Sequence, residues 1–240
     1  MIHSEEKEAG VWQVELQAPD KRNALNVDAY TVLAETLATI DSMHAARCIV
    51  LCSQGPVFCA GNDLAEFETR WPQPAHGPAY RFLETLGGLQ LPVVAAVQGA
   101  AVGVGATMLL HCDVVIAAPA AFLQYPFVDI GITMEGGSSH LLPRLLGYAR
   151  AMDILLTGRR VHADEAYALG LVSRISRDEP PLKAAQALAR SIAAKSKPAV
   201  VATKRLARRS LAEVLPARFE EELQTVNRLI SEARAAKKKA

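Results

Sequence analysis

The only carboxylate at a glycine-rich corner in the segment FLQYPFVDIGITMEGGSS of this 240-residue chain is Glu135. Two glycine-bearing stretches precede it, at residues 58–67 (FCAGNDLAEF) and 92–113 (PVVAAVQGAAVGVGATMLLHCD), and each has an apolar lead-in before a predicted helix. Backbone N–H groups at the start of a helix carry partial positive charge. Two such donors beside one carboxylate would stabilise an enolate while a proton moves. The pattern therefore indicates a proton-transfer site.

The segments around these residues alternate between strand and helix patterns. Residues 11–19 alternate as a strand, and Asn26 is placed to cap a helix whose apolar residues recur at helical spacing. Residues 48–53 (CIVLCS) have the pattern of a short, fully buried strand, and the same rhythm returns at residues 92–111, with the helix predicted over 105–111. We therefore expect a mixed α/β fold with sheets flanked by helices. Periodicity alone does not distinguish a spiral of such units from a doubly wound sheet.

Residues 181–240 are nearly all helix formers and have no strand to pair with. Ser196 is predicted to cap a helix, and Pro216 is predicted to break it. The apolar residues of this segment need apolar surface from elsewhere, so it either folds back on the core or packs on another subunit. We divide the chain into a core over residues 1–195 and a C-terminal helical region over residues 196–240.

Composition argues against several classes of function. A formal net charge of +1 gives no global field that would attract nucleic acid or an anionic membrane. The apolar run 91–110 is interrupted by Pro92 and by glycines, which favours buried elements over a membrane span. The chain has four cysteines, Cys48, Cys52, Cys59 and Cys112. They lie in apolar runs, and residues 1–10 lack a secretory pattern, so we expect reduced cysteines, no bound metal and a cytoplasmic protein.

With these motifs in order, the sequence resembles the crotonase family, also called the enoyl-CoA hydratase/isomerase family. The segments that carry the resemblance are APDKRNALN (18–26), FCAGNDL (58–64), AAVQGAAVGVGA (95–106), TGRRVHADEAYALGLV (157–172) and KSKPAVVATK (195–204). The resemblance implies a crotonase-like spiral of ββα units and an acyl-CoA substrate, with no cofactor beyond the CoA moiety of that substrate. It also implies a homotrimer or a dimer of trimers, in which the C-terminal helical region serves trimerisation.

In this family two backbone N–H groups hold the thioester oxygen, and the resemblance places them at Asn62 and Val104. Most relatives have alanine where this chain has Asn62, but the change of side chain does not remove an amide donor. Gly103 and Gly105 flank Val104 and let the backbone approach a ligand closely. An ordinary asparagine turn and close packing of a helix on a strand are the alternative interpretations of the two positions.

Family hydratases use two glutamates to hold and activate water, and the matching positions here are Thr107 and Phe127. Neither is a base, so efficient hydration is disfavoured. An isomerase needs one carboxylate, and residues 125–139 (YPFVDIGITMEGGSS) resemble the Δ3,Δ2-enoyl-CoA isomerase branch, in which Glu135 matches the base. An apolar wall at Phe127 would raise the pKa of that base by desolvation. A helix-capping role for Glu135, or Asp129 as the base, are the alternatives.

The resemblance also indicates where coenzyme A would bind. Lys21 and Arg22 offer cations to phosphate oxygens, although solvation in a turn explains them equally well. Lys204 and Arg205 are further candidates for phosphate contacts. The predicted CoA-binding residues are Arg22, Ala24, Leu25, Ala60, Asp63 and Leu64.

The outcome of the reaction stays open at this level, because one fold serves several chemistries. A hydratase, decarboxylase or dehalogenase of the same family would use the same acyl-CoA thioester. A non-catalytic acyl-CoA-binding protein is the alternative from a different class, and the presence of Glu135 argues against it. We expect a Δ3,Δ2-enoyl-CoA isomerase.

Overall fold

The computed structural model of the protein describes residues 2–237. Its strands are β1 (Ile2–Glu8), β2 (Val11–Leu16), β3 (Cys48–Ser53), β4 (Val93–Val97), β5 (Ala100–Val102), β6 (Val114–Ala117), β7 (Phe122–Gln124), β8 (Arg160–His162) and β9 (Arg174–Ile175). Its helices are α1 (Val27–Ser42), α2 (Leu64–Arg70), α3 (Pro78–Gly88), α4 (Val104–Thr107), α5 (Ser138–Leu146), α6 (Tyr148–Thr157), α7 (Ala163–Ala168), α8 (Pro181–Ala193) and α9 (Lys197–Lys237).

Two sheets organise the chain as a spiral. One has the strand order β1-β2-β3-β4-β6-β9, and the other has the order β5-β7-β8. From β2 onward the neighbours in the larger sheet are parallel, so the chain crosses over between them. In the later crossovers short strands join the smaller sheet, β5 between β4 and β6, and β7 and β8 between β6 and β9. This confirms the predicted mixed α/β fold built from ββα units.

Strand β3 illustrates why the central strands contain almost only apolar residues. Its side chains are all buried, because both faces of the sheet are covered. Ile49 and Leu51 face the main core, which includes α1 and α3. Cys48 and Val50 face the opposite side, where Ala185 of α8 packs. The four cysteines have free thiols, as expected.

Helix α1 follows the prediction closely. The Asn26 side-chain oxygen accepts a hydrogen bond from the Ala29 N–H at 2.8 Å, which satisfies an amide that the helix itself leaves unpaired. The apolar positions predicted from the helical spacing, among them Tyr30 and Leu37, are buried. The orientation of α1 is thus set by its cap and its apolar stripe together.

Two predictions about helices were wrong. The helix expected over residues 105–111 begins one residue earlier and is divided into α4 and a 3-10 turn, Met108–His111. Helix α9 does not break at Pro216 but continues through it. Leu215 and Phe219, on either side of the proline, are each only 5% exposed. Their packing on the core compensates for the backbone hydrogen bond that proline removes.

Helix α9 folds back on its own chain. The buried Lys204 ammonium donates to the Asp113 carboxylate at 2.7 Å and to the Leu91 carbonyl at 2.8 Å. Lys204 therefore anchors α9 and is not placed to bind phosphate, so its prediction as a phosphate contact was wrong. Arg205, the other candidate, is exposed.

Residues 238–240 of the predicted C-terminal region lie outside the described residues. Within residues 2–237, every helix is too short or too polar to cross a bilayer.

Candidate active site

A cavity of about 220 Å³ opens between the core and helix α9. Its wall is mostly apolar and includes Phe67, Trp71, Tyr80, Leu83, Phe127, Ile132, Phe219, Leu223 and Val226. Ala60, Gly61, Asn62, Leu64, Gly103 and Glu135 also line it. Among the described residues on this wall, Glu135 is the only one with a carboxylate. One acid thus faces an otherwise uncharged cavity.

The two glycine-bearing loops meet at one edge of the cavity. The Val102 N–H donates to the Cys59 carbonyl at 2.9 Å, which ties the loops together. Gly61 has a φ of 98°, and a Cβ there would lie 3.0 Å from the Val102 carbonyl oxygen. Gly105 is more confined, because a Cβ there would lie 2.5 Å from the Cys59 carbonyl oxygen. Glycine at these positions permits the contact.

The predicted oxyanion donors lie on either side of this junction. Leu25 and Asn62 are paired in an isolated β-bridge. In this bridge the Leu25 N–H donates to the Gly61 carbonyl and the Asp63 N–H donates to the Leu25 carbonyl, so the bridge does not use the N–H of Asn62. Val104 is the first residue of α4, where the helix supplies no partner for a backbone N–H. The Val104 side chain is buried behind the wall that Gly103 forms. The structure therefore brings both predicted amides to the same edge.

Glu135 combines a cavity position with a buried carboxylate. The residue as a whole is partly exposed, but its Oε1 atom is buried and has no hydrogen-bond partner among the described residues. Burial raises the pKa of Glu135 to about 8, a side-chain hydrogen bond with Thr107 opposes this rise, and the charge of Glu222 adds to it. A carboxylate with a pKa near neutrality can both take and return a proton.

Thr107 and Phe127 stand at the two positions where family hydratases have a glutamate. Phe127 is 5% exposed and lines the cavity. Thr107 is fully buried on α4, and its hydroxyl lies 3.2 Å from the Gly103 carbonyl, to which it donates. Its one proton serves either this carbonyl or Glu135. Neither side chain offers a second carboxylate to activate water.

A further polar group in the cavity belongs to Tyr30. Its hydroxyl donates to the side-chain oxygen of Asn62 at 2.5 Å. Burial raises the pKa of Tyr30 well above its ordinary value, and the nearby charge of Glu135 contributes. The hydroxyl therefore stays protonated and holds the Asn62 side chain in place beside the amide that we predict to bind the oxyanion.

The residues predicted to bind coenzyme A lie together on the rim next to the Asn62 amide. The Ala60 N–H donates to the Arg22 carbonyl at 3.0 Å, and the Asp63 N–H donates to the Leu25 carbonyl at 2.9 Å. Arg22 is exposed with a left-handed φ of 53°. Leu25 is buried, so it can offer only its backbone.

On the same rim, Lys21 pairs with Asp63 at 3.5 Å across the two segments. Ala60 and Leu64 reach the cavity wall, and Leu64 is 64% exposed. Ala24 lies between Arg22 and Leu25 and is partly buried. The set forms one surface at the mouth of the cavity, with apolar and cationic groups side by side.

The rival residues lie elsewhere. Asp129 is exposed in the 3-10 turn Val128–Ile130, and its carboxylate faces Gly158, outside the cavity wall. Asp113 accepts hydrogen bonds from the Val93 N–H and from Lys204, so its role is structural. His140 is partly buried on α5 and does not line the cavity. Among the candidates from the sequence, Glu135 alone brings a carboxylate to the cavity.

Sequence reasoning missed several residues of this site. Tyr30 belongs to the apolar stripe of α1, so its type indicated only a core position. His111 and Glu222, which contact the turn after Glu135, were not singled out. The sequence could have indicated Glu222, because its spacing from Phe219 and Val226 places a charged side chain on the same apolar face of the helix. An acid on an apolar stripe requires a buried partner.

Known proteins share both the sequence pattern and the fold. The sequence model of the family described as enoyl-CoA hydratase/isomerase matches residues 6–239. The 1,2-epoxyphenylacetyl-CoA isomerase of Escherichia coli K12 is 36% identical over 193 residues, which are 78% of this chain and 74% of the relative. A probable enoyl-CoA hydratase of Mycobacterium leprae is 36% identical over 174 residues, 69% of this chain and 68% of the relative.

A solved structure supports the same assignment. The Pseudomonas aeruginosa protein OdaA superposes with a TM-score of 0.92 at 36% identity, covering 95% of this chain and 93% of that protein. The match extends over the spiral core and the C-terminal helices alike. The chain belongs to the enoyl-CoA hydratase/isomerase family.

Proposed function

We propose that this family member is a Δ3,Δ2-enoyl-CoA isomerase that uses Glu135 as its single base. The ionised carboxylate would take a proton from the α carbon of a 3-enoyl-CoA. The electron pair would delocalise to the thioester oxygen, held by the N–H groups of Asn62 and Val104. Glu135 would return the proton to the γ carbon, which leaves the double bond between the α and β carbons.

The observation that supports this proposal most strongly is the buried, unpartnered Oε1 of Glu135 in a cavity without another carboxylate on its described wall. A carboxylate oxygen that is not engaged in a structural hydrogen bond is available to a substrate. The apolar wall at Phe127 would keep water away from the dienolate, so the proton would be returned by Glu135 and not supplied by water.

The test is conversion of a 3-enoyl-CoA to the conjugated 2-enoyl-CoA by the purified protein. Glu135→Gln should lower kcat by a factor on the order of 100 to 10,000, the usual contribution of a general base. Asp129→Asn is the matched control, because it removes the exposed rival carboxylate and should leave kcat within about twofold of wild type. Full activity of Glu135→Gln would refute the proposal, and so would a 3-hydroxyacyl-CoA as the main product.

A second candidate substrate is a ring-bearing acyl-CoA. The Escherichia coli relative is named for isomerisation of 1,2-epoxyphenylacetyl-CoA. The cavity of this chain is lined by six aromatic side chains, Tyr30, Phe67, Trp71, Tyr80, Phe127 and Phe219. Aromatic walls suit a ring by offset and edge-to-face contacts. Comparing kcat/KM for 1,2-epoxyphenylacetyl-CoA and a linear 3-enoyl-CoA of equal carbon number distinguishes the two candidates.

Coenzyme A would bind along the rim formed by Arg22, Ala24, Leu25, Ala60, Asp63 and Leu64. The exposed Arg22 guanidinium suits a phosphate, since it donates in a fixed fork. The exposed Leu64 side chain offers apolar surface beside it. Arg22→Ala is expected to raise KM by about tenfold with little change in kcat, as loss of a contact made equally in ground and transition states does.

A further inference from the structure

The turn that carries Glu135 is held by a side chain from the C-terminal helix. Glu222 of α9 is 5% exposed. Its Oε2 atom accepts a hydrogen bond from the Gly137 N–H at 2.6 Å, and its Oε1 atom accepts one from the Ser139 N–H at 2.8 Å. These amides belong to the start of α5, so the carboxylate caps that helix across a separation of more than 80 positions in the chain.

A second buried side chain holds the same turn. The Nε2 atom of the fully buried His111 lies 2.7 Å from the Gly136 carbonyl oxygen. Burial lowers the pKa of His111 to about 4, so the ring is neutral and its Nε2–H donates to that carbonyl. The Ser138 hydroxyl donates to the carbonyl oxygen of Glu135 itself at 2.6 Å. The backbone of Glu135 and of the turn that follows it is therefore fixed.

Apolar contacts with α9 leave the turn little room to move. Gly136 and Gly137 have φ values of 65° and 79°, which favour glycine. A Cβ on Gly137 would lie 2.8 Å from Leu215 and 3.0 Å from Phe219, both on α9. The turn is thus pressed against the helix that supplies Glu222. A displacement of α9 at this point would displace the Glu135 backbone.

We propose that Glu222 is a positioning residue for Glu135, so that helix α9 forms a working part of the active site. This inference rests on the proposed role of Glu135 as the base. The carboxylate of Glu222 fixes where the turn lies and places a negative charge beside the cavity. That charge resists ionisation of Glu135 and keeps its proton exchange near neutral pH.

The titratable groups around Glu135 support an electrostatic part of this role. Tyr30 faces it from α1, His111 from the 3-10 turn after α4, and Glu222 from α9. Tyr30 and His111 are uncharged at neutral pH. Burial raises the pKa of Glu222, although its hydrogen bonds with the start of α5 oppose the rise. Both of its carboxylate oxygens accept a backbone N–H at that helix start, an arrangement that favours the ionised form. Glu222 is therefore the charged neighbour that acts on Glu135.

The test compares wild type with Glu222→Gln, and Glu213→Gln serves as the control. Glu213 is an exposed acid on the same helix, away from the turn. A glutamine at 222 loses the charge and turns an N–H₂ group towards a backbone N–H. Helix α9 should remain attached in this variant, because the Lys204–Asp113 ion pair and the bonds between Asn227 and Gln73 are untouched.

Two readouts are measured on each protein. The first is the pH titration of the Glu135 carboxyl carbon by ¹³C NMR, which needs no turnover and is assigned with Glu135→Gln. The second is kcat and KM for a 3-enoyl-CoA. Glu222→Gln should move the Glu135 titration to lower pH and lower kcat by roughly tenfold to a hundredfold, the cost of a small misplacement of a reacting group. Glu213→Gln should match wild type in both.

An unchanged Glu135 titration in Glu222→Gln overturns the inference, even if activity falls, because a merely structural role predicts that result. If Glu222→Gln shifts the Glu135 titration but the wild-type protein shows no isomerase activity, the positioning role stands and the proposed function is wrong. Glu222→Asp guards against misfolding of the glutamine variant. It keeps the charge, so its Glu135 titration must stay closer to wild type than that of Glu222→Gln.

Discussion

At the level of single residues, the proposed chemistry depends on the environment of one carboxylate. Glu135 lies in a mostly apolar cavity with Phe127 on its wall, and burial raises its pKa to about 8. The same isolation that makes it a useful base makes it costly to ionise. This conflict between stability and function gives two predictions that use different measurements.

The first prediction concerns the pH dependence of activity. The base must be ionised in the free enzyme, so kcat/KM should rise with pH and level off above an inflection near 8. At pH 7 only about a tenth of the molecules would carry the ionised form. Initial rates with a 3-enoyl-CoA across this range check it. A flat profile between about pH 6 and 9 would contradict the assignment of Glu135 as the base.

The second prediction concerns stability. The folded protein keeps the Glu135 proton up to about pH 8, whereas an unfolded glutamate has released it above about 4.5. Wild-type stability should therefore fall as pH rises between these values, and Glu135→Gln should escape that loss. At pH 8 the variant should be more stable by roughly 2–4 kcal/mol, from about 1.4 kcal/mol per pKa unit.

Urea unfolding of both proteins at pH 5 and pH 8 measures this difference, with Asp129→Asn as the control for loss of an exposed acid. The gap between wild type and Glu135→Gln must widen with pH. Equal gaps at both pH values would mean that Glu135 is ionised in the folded protein throughout, contrary to its raised pKa.

Residue types made some of the site predictable. Glu135 and the glycines of the two loops stand in recognisable strings, and the resemblance places Asn62 and Val104. Glu222 and His111 were missed because each acts through a backbone atom of a distant turn. Such contacts follow from the packing of α9 and not from local spacing. A buried charge on an apolar helix face is the one trace of them in the sequence.

At the level of elements, the contact between the two glycine loops sets the distance between the proposed oxyanion donors. Gly105→Ala would place a methyl group 2.5 Å from the Cys59 carbonyl oxygen and force the loops apart. We expect kcat to fall by about a hundredfold, with a smaller change in KM, because the donors act mainly in the transition state. Steady-state kinetics measures both constants.

Gly88→Ala is the matched control for this substitution. Gly88 also lies in a helix, but an added Cβ there would meet no atom within 4 Å. Its kinetics should equal those of wild type. If Gly105→Ala were as active as Gly88→Ala, the junction of the loops would not control the donor geometry.

Helix α9 shows why element boundaries are harder to predict than element types. Its helical composition was evident, and its start after Ser196 follows the expected cap. The break predicted at Pro216 does not occur, because the helix is pinned on both sides of the proline by Leu215 and Phe219. Tertiary packing outweighed the local cost of proline. Local propensity contains no information about that packing.

At the level of the whole molecule, the strand–helix rhythm predicted an α/β protein but could not distinguish a spiral from a doubly wound sheet. The discriminating information is which strands pair, and the short strands β5, β7 and β8 are only three residues each. Such short strands leave little periodic signal. The family resemblance supplied the architecture that periodicity could not.

The oligomeric state is a prediction at this scale. Large side chains on α5 to α7 are exposed in the single chain, including Leu145 at 49%, Tyr148 at 73%, Leu156 at 63% and Tyr167 at 55%. We propose that such apolar surface is covered in a homotrimer or a dimer of trimers. Light scattering should then give three or six times the chain mass of 25.8 kDa. A monomer at micromolar concentration would contradict this proposal.

The most direct test of the central claim follows the proton itself. A 3-enoyl-CoA with two deuterium atoms on the α carbon is converted in ordinary water, and the product is analysed by mass spectrometry and NMR. A single, shielded base predicts that part of the 2-enoyl-CoA carries deuterium on the γ carbon, delivered by Glu135, and that Glu135→Gln forms no such product. Complete loss of the transferred label to water, or label transfer that persists in Glu135→Gln, would contradict the account.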